Sequence, residues 1–341
     1  KSMAWRIALV GLITLILAVS CFDLSRLWKL AAGSSDESDT HVSHLRILAY
    51  TSFVAAWGPG PKLAQLFEKQ TGTKVTLLQA DDANMLLAKM DAFPVDLVIG
   101  FDQETTALAR ASRAWRDHDV QQGDDSKFLA YDWAPIGFVY REGEIAPPRG
   151  FEDLLHPRFV KTITLQDPRS SSPGYLFLHW LVSEMGEEQA FAFLAKLRPN
   201  IQTASGSWSQ TYGIFSRGLA KLALSYASSP LYHLMSEKND RYRFAKFEGV
   251  SHPIQIEYAA VPESCRSCGE ALRFMDFLVS LEAQKAIMTG NWMFPVNPEA
   301  VQGTPFEAPF KELVPATFTK PAQTSQGSRD RLMKKWGEVG L

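Results

Sequence analysis

The side chains of this chain best suited to chemistry are aromatics, hydroxyls and carboxylates, and they recur in short stretches. Tyr50, Thr51, Ser52 and Trp57 follow one apolar run, Asp81 and Asp82 a second, and Asp102 a third. Farther along come Asp167 to Ser172, then Trp208, then Tyr226, Ser228, Ser229 and Tyr232. Aromatic faces attract cations, and a carboxylate among them suits a cation or an amino group. Asp81 and Asp82 also fit the plainer role of solvated helix-start residues. In "DPRSSSPG" (167–174) serines stand ahead of Pro173, as at a helix start. Its free N–H groups, the hydroxyls of Ser171 and its neighbours, and Arg169 would suit an anion; plain capping is the alternative. "GSWSQTYG" (206–213) repeats the theme with Trp208.

The stretch "TGNWMFPVN" (289–297) closes a long amphipathic segment. Gly290 and Asn291 suit the left-handed position at a helix C-terminus. Trp292 then stands in the turn itself. It either covers a hydrophobic edge or, with Asn291 beside it, forms part of a binding wall. Catalytic signatures are missing: the chain has no GxSxG, no Walker loop and no HExxH, and its seven histidines are scattered. No catalytic residue, metal site or cofactor is expected.

These residues need elements to position them. Apolar strand-like runs at 45–52, 73–80 and 95–102 alternate with helical segments from Pro61 to Gln70, at 83–93 and at 104–112, which reads as a mainly parallel sheet. "YDWAPIGFVYR" (131–141) is a longer run that can carry the chain into a second lobe. There, strands at 161–168 and 222–228 accompany helices from Pro173, over 187–197 and from Ser209. "PIQIEYAAV" (253–261) reads as a return strand, and residues 269–290 as one amphipathic helix. In sheets of this kind ligands bind beyond the carboxyl ends of the strands, where the aromatics, hydroxyls and carboxylates fall. The expectation is an α/β, two-lobed protein, with lobe 1 at 46–135 plus 262–341 and lobe 2 at 136–261. A cleft between the lobes would take a small, polar, aromatic guest.

The net charge of −2 and the absence of Lys/Arg clusters argue against a nucleic-acid partner. Lys1 and Arg6 precede the uncharged apolar run 7–22, so 1–22 reads as a signal peptide or signal anchor. The run ends in "AVSC", which makes Cys21 a candidate lipidation site. The small, polar and acidic stretch after it, within 23–45, reads as a flexible tether. Cleaved, lipidated or retained, such a segment places the body outside the cytoplasm. Cys265 and Cys268 in "ESCRSCGE" then form a local disulfide more readily than a thiol site.

"YTSFVAAWGPGP" (50–61), "DLVIGFD" (96–102), "LQDPRSSSPG" (165–174), "WSQTYGIF" (208–215), "LSYASSPLYH" (224–233) and "TGNWMFPV" (289–296) together resemble the thiamine-binding proteins of ABC importers. The likeness spans nearly the whole body in order. It implies a type II periplasmic binding protein fold, a periplasmic or extracytoplasmic location and delivery of thiamine, or its mono- and diphosphates, to an ABC permease. It implies that Tyr232 and Trp292 flank the aminopyrimidine and that Asp82 faces the amino side. Tyr50, Trp57, Ser171, Trp208 and Tyr226 would form the remaining wall, toward the thiazolium and its hydroxyethyl or phosphate end. The chain departs from the family pattern at Thr51, where an acid is usual, and in its CxxC, apolar N-terminal run and acidic tether. Iron or polyamine binding is the runner-up, and a thiaminase-like enzyme with a cysteine nucleophile the rival from another class.

Overall fold

Near-continuous apolar runs bury both faces of parallel strands, and here they build the first half of a sheet. In the computed structural model, residues 43–314 (apart from 122 and 124) and 326–341 are described. Strand β1 (His44–Tyr50) lies between β2 (Lys74–Ala80) and β3 (Leu97–Phe101), and pairs with both in parallel. Between β1 and β2 come α1 (Thr51–Val54) and α2 (Pro59–Thr71). Helix α2 starts with Pro59 in its first turn and stops at Gly72, whose φ of 73° is left-handed. A 3-10 turn (Ala83–Met85) and the short α3 (Leu86–Met90) precede β3, and α4 (Gln103–Ser112) follows it. Asp102 and Thr105 form a reciprocal capping box on α4.

Strand β4 (Leu129–Arg141) then runs the length of the molecule's middle, buried at nearly every position. Leu129–Pro135 pairs antiparallel with β9 (Ile254–Ala260), which itself pairs with β3. The remainder, Ile136–Arg141, pairs antiparallel with β7 (Leu222–Tyr226) and β8 (Tyr242–Ala245). Beyond β7 lie β5 (Ile163–Gln166) and β6 (Ile201–Ser205), parallel to one another. The order β2-β1-β3-β9-β4-β7-β5-β6 therefore passes from one half to the other through β4, as the length of "YDWAPIGFVYR" suggested. Helices α5 (Ser172–Met185), α6 (Glu187–Leu197), α7 (Trp208–Ser216) and α8 (Ser229–Ser236) belong to the second half. Two hydrophobic clusters support the strands. One packs Leu45, Ile47, Phe53, Phe67 and Phe274 in the first half. The other continues along β4 from Trp133 to Phe138 and reaches Leu178 and Leu194.

The expected helix over 269–290 is two: α9 (Cys268–Leu278) and α10 (Leu281–Gly290). Ser280 divides them by accepting the Ala283 N–H on its Oγ, which starts a new helix. After α10 the two-residue strand β10 (Phe294–Pro295) pairs with Asp132 and Trp133 of β4. The Trp133 indole donates to the Pro295 carbonyl at 3.2 Å, which fixes the turn ahead of it. Helices α11 (Glu307–Leu313) and α12 (Gln326–Val339) follow. Leu332 and Trp336 of α12 are buried, and Arg331 and Lys335 pair with Glu187 at the start of α6. Ser43–Leu341 forms one compact unit. The expected signal segment 1–22 with Cys21, and all but the end of the tether 23–45, lie outside the described residues. Among the described residues no helix is long and apolar enough to cross a membrane.

Candidate functional site

The floor of the cleft is built from the end of β1 and from the first residues of β4 and β9. Tyr50, the last residue of β1, lays its ring against β3 at Gly100, where an added Cβ would come within 2.2 Å of Tyr50 Cδ1. Gly100 also has a φ of 108°, so the close approach and the backbone both require glycine. The Tyr50 hydroxyl donates to Glu257 Oε2 at 2.6 Å, and the Tyr131 hydroxyl donates to the same oxygen at 2.7 Å. Asn291 Nδ2 donates to Asp132 Oδ2 at 2.7 Å and reaches Glu257 Oε2 at 3.3 Å. Gln255 Nε2 donates to Glu257 Oε1 at 3.2 Å. Burial, then the neighbouring carboxylates, pushes the Tyr50 and Tyr131 phenols well above their usual range. Burial likewise holds Asp132 well above the carboxylate range, with Glu257 adding to the rise; Glu257 is also raised by burial, against the donors around it.

Asp82 stands at the edge of this floor, its side chain accepting from Ala83 N at the start of the 3-10 turn. Desolvation lifts its carboxyl to about 7, opposed by the Ala83 N–H and by the Ser171 hydroxyl nearby. Ser171 Oγ is fully buried and makes no hydrogen bond of full geometry, so its effect on Asp82 is one of proximity.

The opposite wall comes from the second half. Ser207 caps α7 by accepting from Gln210 N, and this places Trp208 at the first helical position. The Trp208 indole donates to Ser225 Oγ at 2.9 Å, and Ser225 shares a 2.7 Å hydrogen bond with Ser229. Its ring stacks on Tyr212 at 5.0 Å with planes 14° apart, and Tyr226 lies 6.3 Å away. Behind it Tyr212 and His233 Nε2 are hydrogen-bonded at 2.9 Å, and His233 Nδ1 meets Glu237 at 2.7 Å. Burial holds the His233 imidazole below its usual range, although Glu237 opposes the shift.

The turn after α10 differs from its expected form. Gly290 is the last helical residue and Asn291 is right-handed, whereas Trp292 itself takes a φ of 56°. Gly290 is required by packing instead: an added Cβ would lie 2.8 Å from the Pro59 Cα. A bulky residue in the left-handed region is strained by about 1–3 kcal/mol and persists only where its surroundings hold it there. Ser228 does so by donating to the Trp292 carbonyl at 2.6 Å. Phe306 lies 6.2 Å behind the indole, nearly parallel to it.

Seven of the nine expected site residues, Tyr50, Trp57, Asp82, Trp208, Tyr226, Asn291 and Trp292, line one cavity. Tyr232 lines an adjoining cavity, shared with Trp57, Trp208 and Trp292. It meets Trp292 edge to face at 5.2 Å and 78°, so no ring-thick gap separates the two in this structure. Ser171 lines neither cavity; its neighbour Ser172 lines the first. Arg169 is not free for an anion, because its guanidinium is paired with Asp167. Asp102 caps α4, and Cys265 and Cys268 are joined in a disulfide.

Gln255, Glu257 and Asp132 were not among the expected residues. A charged or amide side chain inside the otherwise apolar "PIQIEYAAV" and "YDWAPIGFVYR" is the signal they carried. A buried carboxylate in a strand is unusual unless it is paired.

Known proteins resemble this arrangement over most of its length. The sequence profile of the family described as bacterial extracellular solute-binding protein matches residues 83–315. A "Thiamine-binding periplasmic protein" of Brucella abortus biovar 1 is 34% identical over 266 residues, which is 74% of this chain and 79% of that one. The protein of the same name from Escherichia coli K12 is 33% identical over 293 residues, 82% of this chain and 86% of its own. A solved structure titled "Periplasmic thiamin binding protein" has a TM-score of 0.76 and 31% identity, covering 87% of this chain and 96% of the other.

Proposed function

The chain belongs to the bacterial extracellular solute-binding proteins and has their two-lobed type II periplasmic binding fold, and from that premise we propose that it captures thiamine in the periplasm and delivers it to an ABC permease. The observation that carries the reading is one cavity walled by Trp57, Trp208, Tyr226 and Trp292 over a floor that holds Asp82 and Glu257. Thiamine pairs a cationic thiazolium with an aminopyrimidine, and aromatic faces with nearby carboxylates answer both. Each cation–π contact contributes on the order of 0.5–2 kcal/mol. Its mono- and diphosphates are further candidate cargo.

Within this reading the nine residues Tyr50, Trp57, Asp82, Ser171, Trp208, Tyr226, Tyr232, Asn291 and Trp292 are the ligand contacts, with Tyr232 and Trp292 parting to admit the pyrimidine. Lobe 1 comprises 46–135 and 262–341, and lobe 2 comprises 136–261. The lobes close by a hinge motion that excludes water from the cleft. The Ser228 bond to the Trp292 carbonyl joins residues of the two lobes and supports this account. The N-terminal segment directs the body out of the cytoplasm and, where it is retained or lipidated at Cys21 rather than cleaved, holds it to the membrane.

Iron binding is not favoured. Paired tyrosines would have to ligate the ion, and the Tyr50 hydroxyl is committed to Glu257. A thiaminase-like reaction needs a cysteine nucleophile, and Cys265 and Cys268 are bonded to each other. Calorimetry on the body from residue 45 onward is expected to give a heat of thiamine binding, with thiamine recovered intact after overnight incubation. A missing heat would remove the transport reading, and cleaved thiamine would replace it with an enzyme.

A further inference from the structure

Two buried carboxyl groups face each other at the floor of the cleft without a cation to balance them. Glu257 is 6% exposed and Asp132 fully buried, and among the described residues no Lys, Arg or His pairs with either. The charged and titratable groups that face them are all acidic or phenolic: Tyr50 from β1, Tyr131 from β4, Tyr226 from β7, and Asp82 from the loop after β2, with Asp102 acting in turn on Asp82 and Tyr226. The hydrogen bonds divide the pair. Glu257 collects two phenol hydroxyls and the amides of Asn291 and Gln255, as an ionised carboxylate does. Asp132 receives Asn291 alone, and its Oδ1 has no partner. A second observation points outward, into the cavity. Gln255, only 3% exposed, lines the same cavity as Glu257, and its Oε1 is buried without a hydrogen-bond donor. An ionised carboxylate and an unfilled amide acceptor side by side present negative charge and a lone pair to whatever occupies the cleft.

We propose that Glu257 is the residue that selects a cationic, N–H-donating ligand, that Gln255 accepts one of its donors, and that Asp132 is a positioning residue kept protonated behind Glu257. This rests on the reading of the cleft as a thiamine site and adds which side chains read the charge. Two adjacent buried carboxyls cannot both ionise cheaply, so the pair retains one proton in the empty protein. The carboxylate left exposed to the cavity is an uncompensated charge that a bound cation relieves.

The test compares wild type with Glu257→Gln on thiamine and on a neutral analogue whose thiazolium nitrogen is replaced by carbon. Glu257→Gln is expected to weaken thiamine about 30-fold, the range of a lost charge-assisted contact, and the neutral analogue less than ~3-fold. The empty variant is expected to melt no lower than wild type, because a buried unpaired charge has been removed. If the variant does not fold, Glu257→Asp keeps the charge but withdraws it from the cavity, and should weaken thiamine about 10-fold. For Asp132, the infrared carbonyl stretch of a protonated carboxyl is expected in the empty protein near pH 8, above the Asp82 carboxyl at about 7, and should vanish in Asp132→Asn.

Equal losses for thiamine and the neutral analogue would make Glu257 a structural residue and overturn the proposal. So would undiminished thiamine binding by Glu257→Gln, or a wild-type spectrum with no protonated carboxyl. A folded wild type that shows the carboxyl signal yet binds no thiamine would instead strike the thiamine reading, and with it the selection step.

Discussion

The two sides of the cleft solve the burial of polar groups in opposite ways. On the aromatic wall the polar atoms form a chain of partners: Trp208 on Ser225, Ser225 on Ser229, Tyr212 on His233, His233 on Glu237. His233 also stacks face to face on Tyr242 at 3.3 Å. This chain of hydrogen bonds is formed within the protein, without a ligand. On the floor of the cleft Asp82, Asp132 and Glu257 are gathered with raised carboxyls, and Asp132 Oδ1 and Gln255 Oε1 lack donors. A satisfied network rigidifies a wall, whereas an unsatisfied one stores binding potential at a cost in stability. The contrast separates the part of the site that gives shape from the part that gives selectivity.

The largest effect should come from breaking the aromatic wall. His233→Ala leaves a cavity beside Tyr242 and strands the Tyr212 hydroxyl, and is expected to destabilise the empty protein by about 3 kcal/mol in urea unfolding. A loss under ~1 kcal/mol would mean that the wall is not held by this network.

Next is Trp292, which belongs to both descriptions. Trp292→Ala removes a ring contact of roughly 0.5–1.5 kcal/mol and about 2 kcal/mol of burial. It should weaken thiamine about 10²-fold, near 2.7 kcal/mol, and Trp292→Phe should recover most of that. Were the indole only a cover over Phe306, melting temperature would fall while affinity held, and measuring both on one variant separates the cases.

A smaller effect tests the unsatisfied side through pH. Asp82 is raised by burial, so the folded protein holds a proton that the unfolded chain releases above about pH 4. Stability from this group is present below that pH and is lost as pH rises through about 7. The buried His233 and His252, held low chiefly by burial, act in the opposite sense: their contribution is present above about 6.5 and is lost as pH falls below it. Asp82→Asn should therefore gain about 1–2 kcal/mol in urea unfolding near pH 8 and nothing near pH 4, while binding thiamine less well. An equal gain at both pH values would remove the electrostatic account.

The smallest effect concerns the backbone. With a φ of 56°, Trp292 occupies a conformation that favours glycine by about 1–2 kcal/mol. Trp292→Gly should bind as poorly as Trp292→Ala, yet the empty protein should be more stable than Trp292→Ala by about 1 kcal/mol. Indistinguishable melting curves would show that the turn relaxes once the indole is gone.

Much of this was legible in the sequence, because periodicity and strand-end position are local properties. The apolar runs at 45–52, 95–102 and 222–228 became β1, β3 and β7, and the aromatics at the ends of the first and last reached the cleft. The close CxxC spacing in "ESCRSCGE" became a disulfide. Where local signals conflicted, the sequence misled. The hydrophobic period through 269–290 continued across Ser280, so the cap that divides α9 from α10 was hidden inside it. Arg169 looked available for an anion until Asp167, two residues away, was found to hold it.

What the sequence alone determined is the supply: alternating strands and helices, a ring or an acid at the end of nearly every strand, and a tryptophan in the turn after α10. What only the tertiary structure decided is which of these meet. Asp132 and Glu257 are 125 residues apart, and each reads singly as an oddity inside an apolar strand. The antiparallel register of β4 and β9, which sets Asp132 opposite Glu257, brings the two carboxyls together, and Asn291 from the far end of α10 joins them. The same crossing sets Trp292 against Ser228 and imposes a backbone conformation that no local preference of tryptophan would select. Charge without a counter-ion and strain without a glycine are products of long-range pairing, and pairing is the one property that a window of neighbouring residues does not contain.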